Sequence, residues 1–101
     1  MAIEDKAVLS EDEIASEVGN LDGWEYLAET RELCRVWQFG KFVPTMALVR
    51  TLTQVMDENN HHSDLQLDSR NKTLTVSVTT HSENAVTRAD IDFAKAVNAA
   101  S

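Results

Sequence analysis

Residues 73–80 read Thr-Leu-Thr-Val-Ser-Val-Thr-Thr, and this stretch decides the architecture. Leu74, Val76 and Val78 alternate with Thr73, Thr75, Ser77 and Thr79, the period of a strand with one buried and one wet face. Such a strand belongs in an antiparallel sheet covered by helices on one side. Just upstream, Leu65 and Leu67 also alternate with polar neighbours, and Asp68-Ser69-Arg70-Asn71 reads as the turn between two paired strands. Earlier still, Trp24–Leu27 and the run holding Leu33, Cys34, Val36, Trp37 and Phe39 predict two more strands, with Glu29–Glu32 as their turn.

Helices fill the gaps. Ser10 with Glu13 forms a capping box, and Ile14 and Val18 mark one face of a short helix that ends near Gly19. Phe42 and Pro44 open a longer helix, because proline is comfortable in a first turn. Its apolar stripe (Met46, Leu48, Val49, Leu52, Val55, Met56) runs to about residue 58. Thr87 and Asp90 make a second capping box ahead of Ile91, Ala94 and Val97. The predicted order is α-β-β-α-β-β-α. This is an α+β fold with a four-stranded antiparallel sheet packed by helices on one face. Residues 1–9 show no period and are expected to form a flexible N-terminus, with residues 10–101 as a single domain.

Composition narrows the function classes. The chain has 101 residues, a formal charge of −8 and one cysteine, Cys34, so no internal disulfide is possible and Cys34 reads as a packed thiol in an apolar strand. No apolar run is long enough to span a bilayer, and residues 1–20 are too acidic for a signal peptide, so a cytoplasmic protein without membrane contact is expected. The acidic excess is local. Glu4, Asp5, Glu11, Asp12, Glu13, Glu17, Asp22, Glu25, Glu29 and Glu32 face only Lys6 and Arg31 in the first 32 residues, while the rest of the chain is balanced. A solvated face, or a docking surface for a basic partner, fits that run. Neither part carries the basic patch that binding a phosphate backbone requires, so direct nucleic-acid binding is not expected.

The residues suited to chemistry are His61, His62 and His81. If the strands around Leu65–Leu67 and Leu74–Thr80 are antiparallel neighbours, the start of one lies beside the end of the other. That draws His81 towards His61 and His62. Imidazoles exchange protons near neutral pH, and Asp57, four residues before His61, could orient it. Solvated polar caps at a helix end are the alternative for the His61-His62 pair. A metal site is disfavoured, because adjacent histidines on extended chain point to opposite faces and no cysteine lies near.

The run Asp57-Glu58-Asn59-Asn60-His61-His62-Ser63-Asp64-Leu65, then Thr80-His81, then Val86-Thr87-Arg88-Ala89-Asp90, resembles the pterin-4a-carbinolamine (4a-hydroxytetrahydrobiopterin) dehydratases. Gly23-Trp24 and the Phe39-x-x-Phe42 pair fall where that family has its Gly-Trp and Phe-x-x-Phe. The resemblance spans roughly residues 10–98. Ser63 stands where the family has proline, Arg70 or Asn71 where it has an aromatic residue, and Asn84-Ala85 where it has Gly-Gly.

The resemblance implies a lyase that dehydrates a 4a-hydroxytetrahydropterin to the quinonoid dihydropterin, with no metal and no organic cofactor. Carried over by position, His61 and His81 are the acid–base candidates and His62 assists or binds substrate. Asp57 stands at the motif's acidic position, and Ser63, Asp64 and Thr80 are assigned to substrate binding. The family also implies a homodimer or homotetramer. Relatives act as dimerisation cofactors of transcription factors or as Rubisco assembly factors, so a non-catalytic binding or assembly protein is the alternative expectation.

Overall fold

The computed structural model describes residues 7–59, 61 and 63–100. The elements are α1 (Glu11–Val18), β1 (Trp24–Leu27), β2 (Glu32–Gln38), α2 (Phe42–Asn59), β3 (Asp64–Asp68), β4 (Thr73–Val78) and α3 (Arg88–Ala100). The order is the α-β-β-α-β-β-α read from the sequence. The four strands form one antiparallel sheet in the order β1-β2-β4-β3. Two hairpins thus lie side by side, joined across the centre by β2 and β4.

Register assigns the faces. Leu33 pairs with Val78, Arg35 with Val76 and Trp37 with Leu74, so these side chains share the face on which Leu33, Leu74, Val76 and Val78 are buried. From the other side of that core come Leu48, Leu52, Val55 and Met56 of α2 and Ile91, Phe93, Ala94 and Val97 of α3. The i, i+3, i+4 spacing on both helices is what lets one stripe of each meet a sheet. The opposite sheet face is open, and Val36 on it is 52% exposed. Cys34 shares that face but is only 6% exposed. Burial pushes its thiol pKa up, against the opposing pull of a hydrogen bond with Ser77.

Local signals explain the boundaries. At α1 the Ser10 hydroxyl accepts from the Glu13 N–H and the Glu13 carboxylate accepts from the Ser10 N–H, the capping box expected there. Those bonds hold the Glu13 carboxyl below its ordinary range. In α2, Pro44 occupies the first turn, where a missing N–H costs no helical bond. Buried Thr45 in that helix donates its hydroxyl to the Lys41 carbonyl at 2.7 Å. Between β1 and β2 the chain turns through Arg31 at φ 56°.

β4 ends two residues earlier than the Leu74–Thr80 reading, because Thr80 leaves the ladder to bridge Ala85. The reversal runs through His81–Asn84, with the Asn84 N–H donating to the His81 carbonyl at 3.1 Å. Asn84 sits at φ 51°, a left-handed conformation asparagine tolerates where the family pattern has glycine. Residues 7–9 lie beside the segment leading into α3. Val8 bridges Thr87, Leu9 donates its N–H to the Val86 carbonyl at 3.3 Å, and Arg88 donates to Ala7 at 3.0 Å. No helix among the described residues is long and apolar enough to cross a membrane.

Candidate active site

α2 hands the chain to the histidine segment. At its C-terminus the His61 N–H donates to the Met56 carbonyl at 3.2 Å, an i→i−5 bond that widens the last turn. Two residues on, the Ser63 N–H donates to the Met56 sulfur at 3.4 Å and its hydroxyl to the same sulfur at 3.6 Å. Serine at the family's proline position therefore supplies a donor that proline lacks.

His61 is not a solvated cap. It is 8% exposed, its ring lies against Phe93 with centroids 5.6 Å apart, and its Nε2 donates to Asp90 Oδ1 at 2.9 Å. Asp90 has no exposed surface. Its other oxygen, Oδ2, accepts from the Thr87 N–H at 2.8 Å and from the Thr80 hydroxyl at 2.9 Å. Thr80 and Thr87 hydroxyls are 2.7 Å apart. With the Thr80 proton spent on Asp90, Thr87 is the donor between them. No buried side-chain nitrogen or oxygen among the described residues lacks a partner, as a polar cluster in a low-dielectric interior requires.

One carboxylate therefore ties together three pieces of chain: the end of α2 through His61, the end of β4 through Thr80, and the start of α3 through Thr87. Only half of the expected Thr87–Asp90 capping box forms: Asp90 Oδ2 accepts from the Thr87 N–H, while the Asp90 N–H donates to the Thr87 carbonyl at 3.1 Å and not to the hydroxyl. The second oxygen is the feature sequence reading missed. A signal for it existed, since a cap carboxylate placed inside an apolar helix face has to find a further donor when it is buried. The spacing argument pointed to Asp57 instead, which is exposed and makes no hydrogen bond or ion pair with His61. The widened turn at His61 takes its ring off the i, i+4 row on which Asp57 lies.

His81 begins the reversal after Thr80 and is exposed. It lines a cavity of about 220 Å³ with Ser63, Asp64, Ser77 and Thr79. Pairing of Asp64 with Ser77 is what brings the start of β3 and the end of β4 to one place. Among the predicted site residues, the structure thus gathers Ser63, Asp64 and His81 around the cavity. It gathers His61 and Thr80 on Asp90, behind residues that line it in sequence. His61 is not among the lining residues, and His62 lies outside the described residues. Arg70 and Asn71, at the family's aromatic position, belong to the turn at the far end of the β3–β4 hairpin. There their N–H groups donate to Asp68 Oδ1 at 3.0 and 3.2 Å. Those hydrogen bonds hold the Asp68 carboxyl below its ordinary range.

Comparison with known proteins identifies the family. Residues 7–100 match the family described as Pterin 4 alpha carbinolamine dehydratase. A Sulfolobus acidocaldarius protein, provisionally named a pterin-4-alpha-carbinolamine dehydratase, is 36% identical over 90 residues, covering 89% of this chain and 94% of its own. A Mycobacterium avium protein with the same provisional name is 34% identical over 92 residues, covering 91% of this chain and 94% of its own. A crystal structure described as a transcriptional coactivator/pterin dehydratase from Brucella melitensis superposes with a TM-score of 0.82 at 27% identity, covering 93% of this chain and 99% of that one. The match over residues 7–100, the relatives at 34–36% identity and the shared fold lead to one conclusion: the chain belongs to the pterin-4a-carbinolamine dehydratase family.

Proposed function

We propose that this protein dehydrates 4a-hydroxytetrahydropterins at the cavity beside His81. The observation that carries the reading is the Asp90 carboxylate, which fixes His61 and the residue preceding His81 with two hydrogen bonds of 2.9 Å. Loss of water breaks the C4a–O bond, with one proton delivered to the departing hydroxyl and the N5 proton removed. The products are quinonoid dihydropterin and water. An imidazole suits either task near neutral pH. His81, exposed at the cavity, is the group that meets substrate in this reading. His61 has Nε2 committed to Asp90, which orients its ring. His62 and Asp57 keep the supporting roles implied by the family motif. Ser63, Asp64 and the hydroxyl of Thr79 offer hydrogen bonds to a polar heterocycle, while Thr80 acts through Asp90.

The direct test follows dehydration of freshly generated 4a-hydroxytetrahydropterin in the presence of the purified protein. The expected result is turnover well above the spontaneous rate in buffer. A rate equal to buffer would move the protein to the binding or assembly role, which the coactivator description of the Brucella melitensis relative supports. Self-association belongs to either role. Phe42 and Val43, at the start of α2, are 52% and 75% exposed, and a second copy would remove them from water. Sedimentation velocity at micromolar concentration is expected to show a dimer or larger species, and a monomer alone would contradict this.

A further inference from the structure

A second cavity, of about 440 Å³, is lined by Asp22, Arg35, Trp37, Phe39, Leu48 and Asn98 among others. It shares no residue with the cavity at His81. Its distinguishing group is Arg35. The guanidinium lies over the Trp37 ring, 4.4 Å from the centroid, and its other side meets Gly23, where an added Cβ would stand 2.7 Å from Nε. Gly23 also holds φ at +81°. Asn98 completes the clamp, its Oδ1 accepting from the Trp24 indole N–H at 2.9 Å and from Arg35 Nη1. Asn98 Nδ2 in turn donates to the Asp22 carbonyl at 3.3 Å. The Gly23-Trp24 pair of the family motif therefore serves to hold one arginine in place.

That arginine is under-used. It makes no ion pair among the described residues, and Asn98 is its one side-chain acceptor there. Burial pushes its pKa down, offset in part by the Asp22 charge. A guanidinium is planar with five donors in a fixed fork, and holding it flat in advance removes most of the ordering cost of engaging a carboxylate in two parallel bonds. The walls around it are apolar or aromatic (Trp37, Phe39, Ala47, Leu48), which suits the body of a small ligand and not a hydrated ion. Asp22 on the rim and the chain's net charge of −8 disfavour a dianion.

We infer that this cavity binds a small organic monocarboxylate with a flat apolar body, its carboxylate on Arg35 and its ring against Phe39 and Leu48. The inference is independent of the reaction proposed at His81. The test uses the full chain and its own fluorophores, because both tryptophans of the sequence, Trp24 and Trp37, touch this cluster. Tryptophan emission is titrated with 3-phenylpropanoate and, separately, with its neutral isostere 3-phenylpropanamide. The acid is expected to give a saturable change at least about tenfold tighter than the amide. Arg35→Gln should erase that preference, and Asp22→Asn should tighten the acid by removing a like charge. Equal binding of acid and amide, no saturation by about 10 mM acid, or weakening by Asp22→Asn would each overturn the inference. Should Arg35→Gln fail to fold, the acid–amide comparison on the unaltered protein still decides.

Discussion

Asp90→Ala is expected to cost about 3–5 kcal/mol of folding stability, the range found when one partner of a buried charged cluster is removed. The residue has no solvent contact and accepts from three donors contributed by His61, Thr80 and Thr87. Alanine leaves all three facing an apolar space, and each unmet buried donor costs about 1–3 kcal/mol. Urea unfolding of the variant measures the loss. Asp90→Asn keeps the shape and one acceptor oxygen but sets an NH₂ against either His61 Nε2 or the donors of Thr80 and Thr87. It should fall between wild type and alanine, and if the NH₂ faces His61 the proton of that ring moves from Nε2 to Nδ1 in nitrogen-detected NMR. A loss below about 1 kcal/mol for Asp90→Ala would show that the carboxylate does not hold these segments together.

His81→Ala should separate activity from stability in the opposite sense. The side chain is exposed on a turn and makes no side-chain hydrogen bond among the described residues, so its removal should change folding free energy by no more than about 0.5 kcal/mol. Under the proposed reaction it should lower kcat/KM for 4a-hydroxytetrahydropterin by ~10²–10⁴-fold, the usual worth of one positioned acid or base. Turnover unchanged in a folded His81→Ala protein would remove His81 from the chemistry while leaving the fold and family assignment intact. The contrast between the two variants is itself informative. Asp90 acts through the residues it holds, whereas His81 faces the cavity.

Much of this architecture was legible because local and global signals agree. The alternation Leu74–Val76–Val78 identified the sheet's buried face. The Ser10–Glu13 box marked the start of α1, and the spacing of Leu48, Leu52 and Val55 gave the inward stripe of α2. The pairing of β2 with β4 was not legible, because more than 40 residues separate Cys34 from its partner Ser77 and no local motif encodes a contact across that distance. For the site, sequence order placed the end of β4 near the start of β3 and so drew His81 towards His61 and His62, whereas the structure sets His81 in the cavity with Ser63 and Asp64 and leaves His61 off its lining. The environment of His61 was hidden for a different reason. Its side chain is directed by a single irregular turn at the end of α2 and by the free oxygen of a cap on another helix, and both are tertiary facts. Likewise Gly23-Trp24 reads as a motif in one dimension, but its purpose, clamping Arg35, exists only once β1, β2 and α3 are assembled.

The position of α3 in the chain bears on how this protein is made. When a ribosome has polymerised residue 78, every strand of the sheet exists and α2 can already cover part of its apolar face, yet that cover stays incomplete until Ile91, Phe93, Ala94 and Val97 follow. A nascent chain paused within the His81–Thr87 segment would thus leave part of the apolar sheet face open to water, the kind of transiently exposed surface that promotes aggregation. Asp90 arrives with that same helix, so the two halves of the histidine constellation are locked together only in the final moments of synthesis.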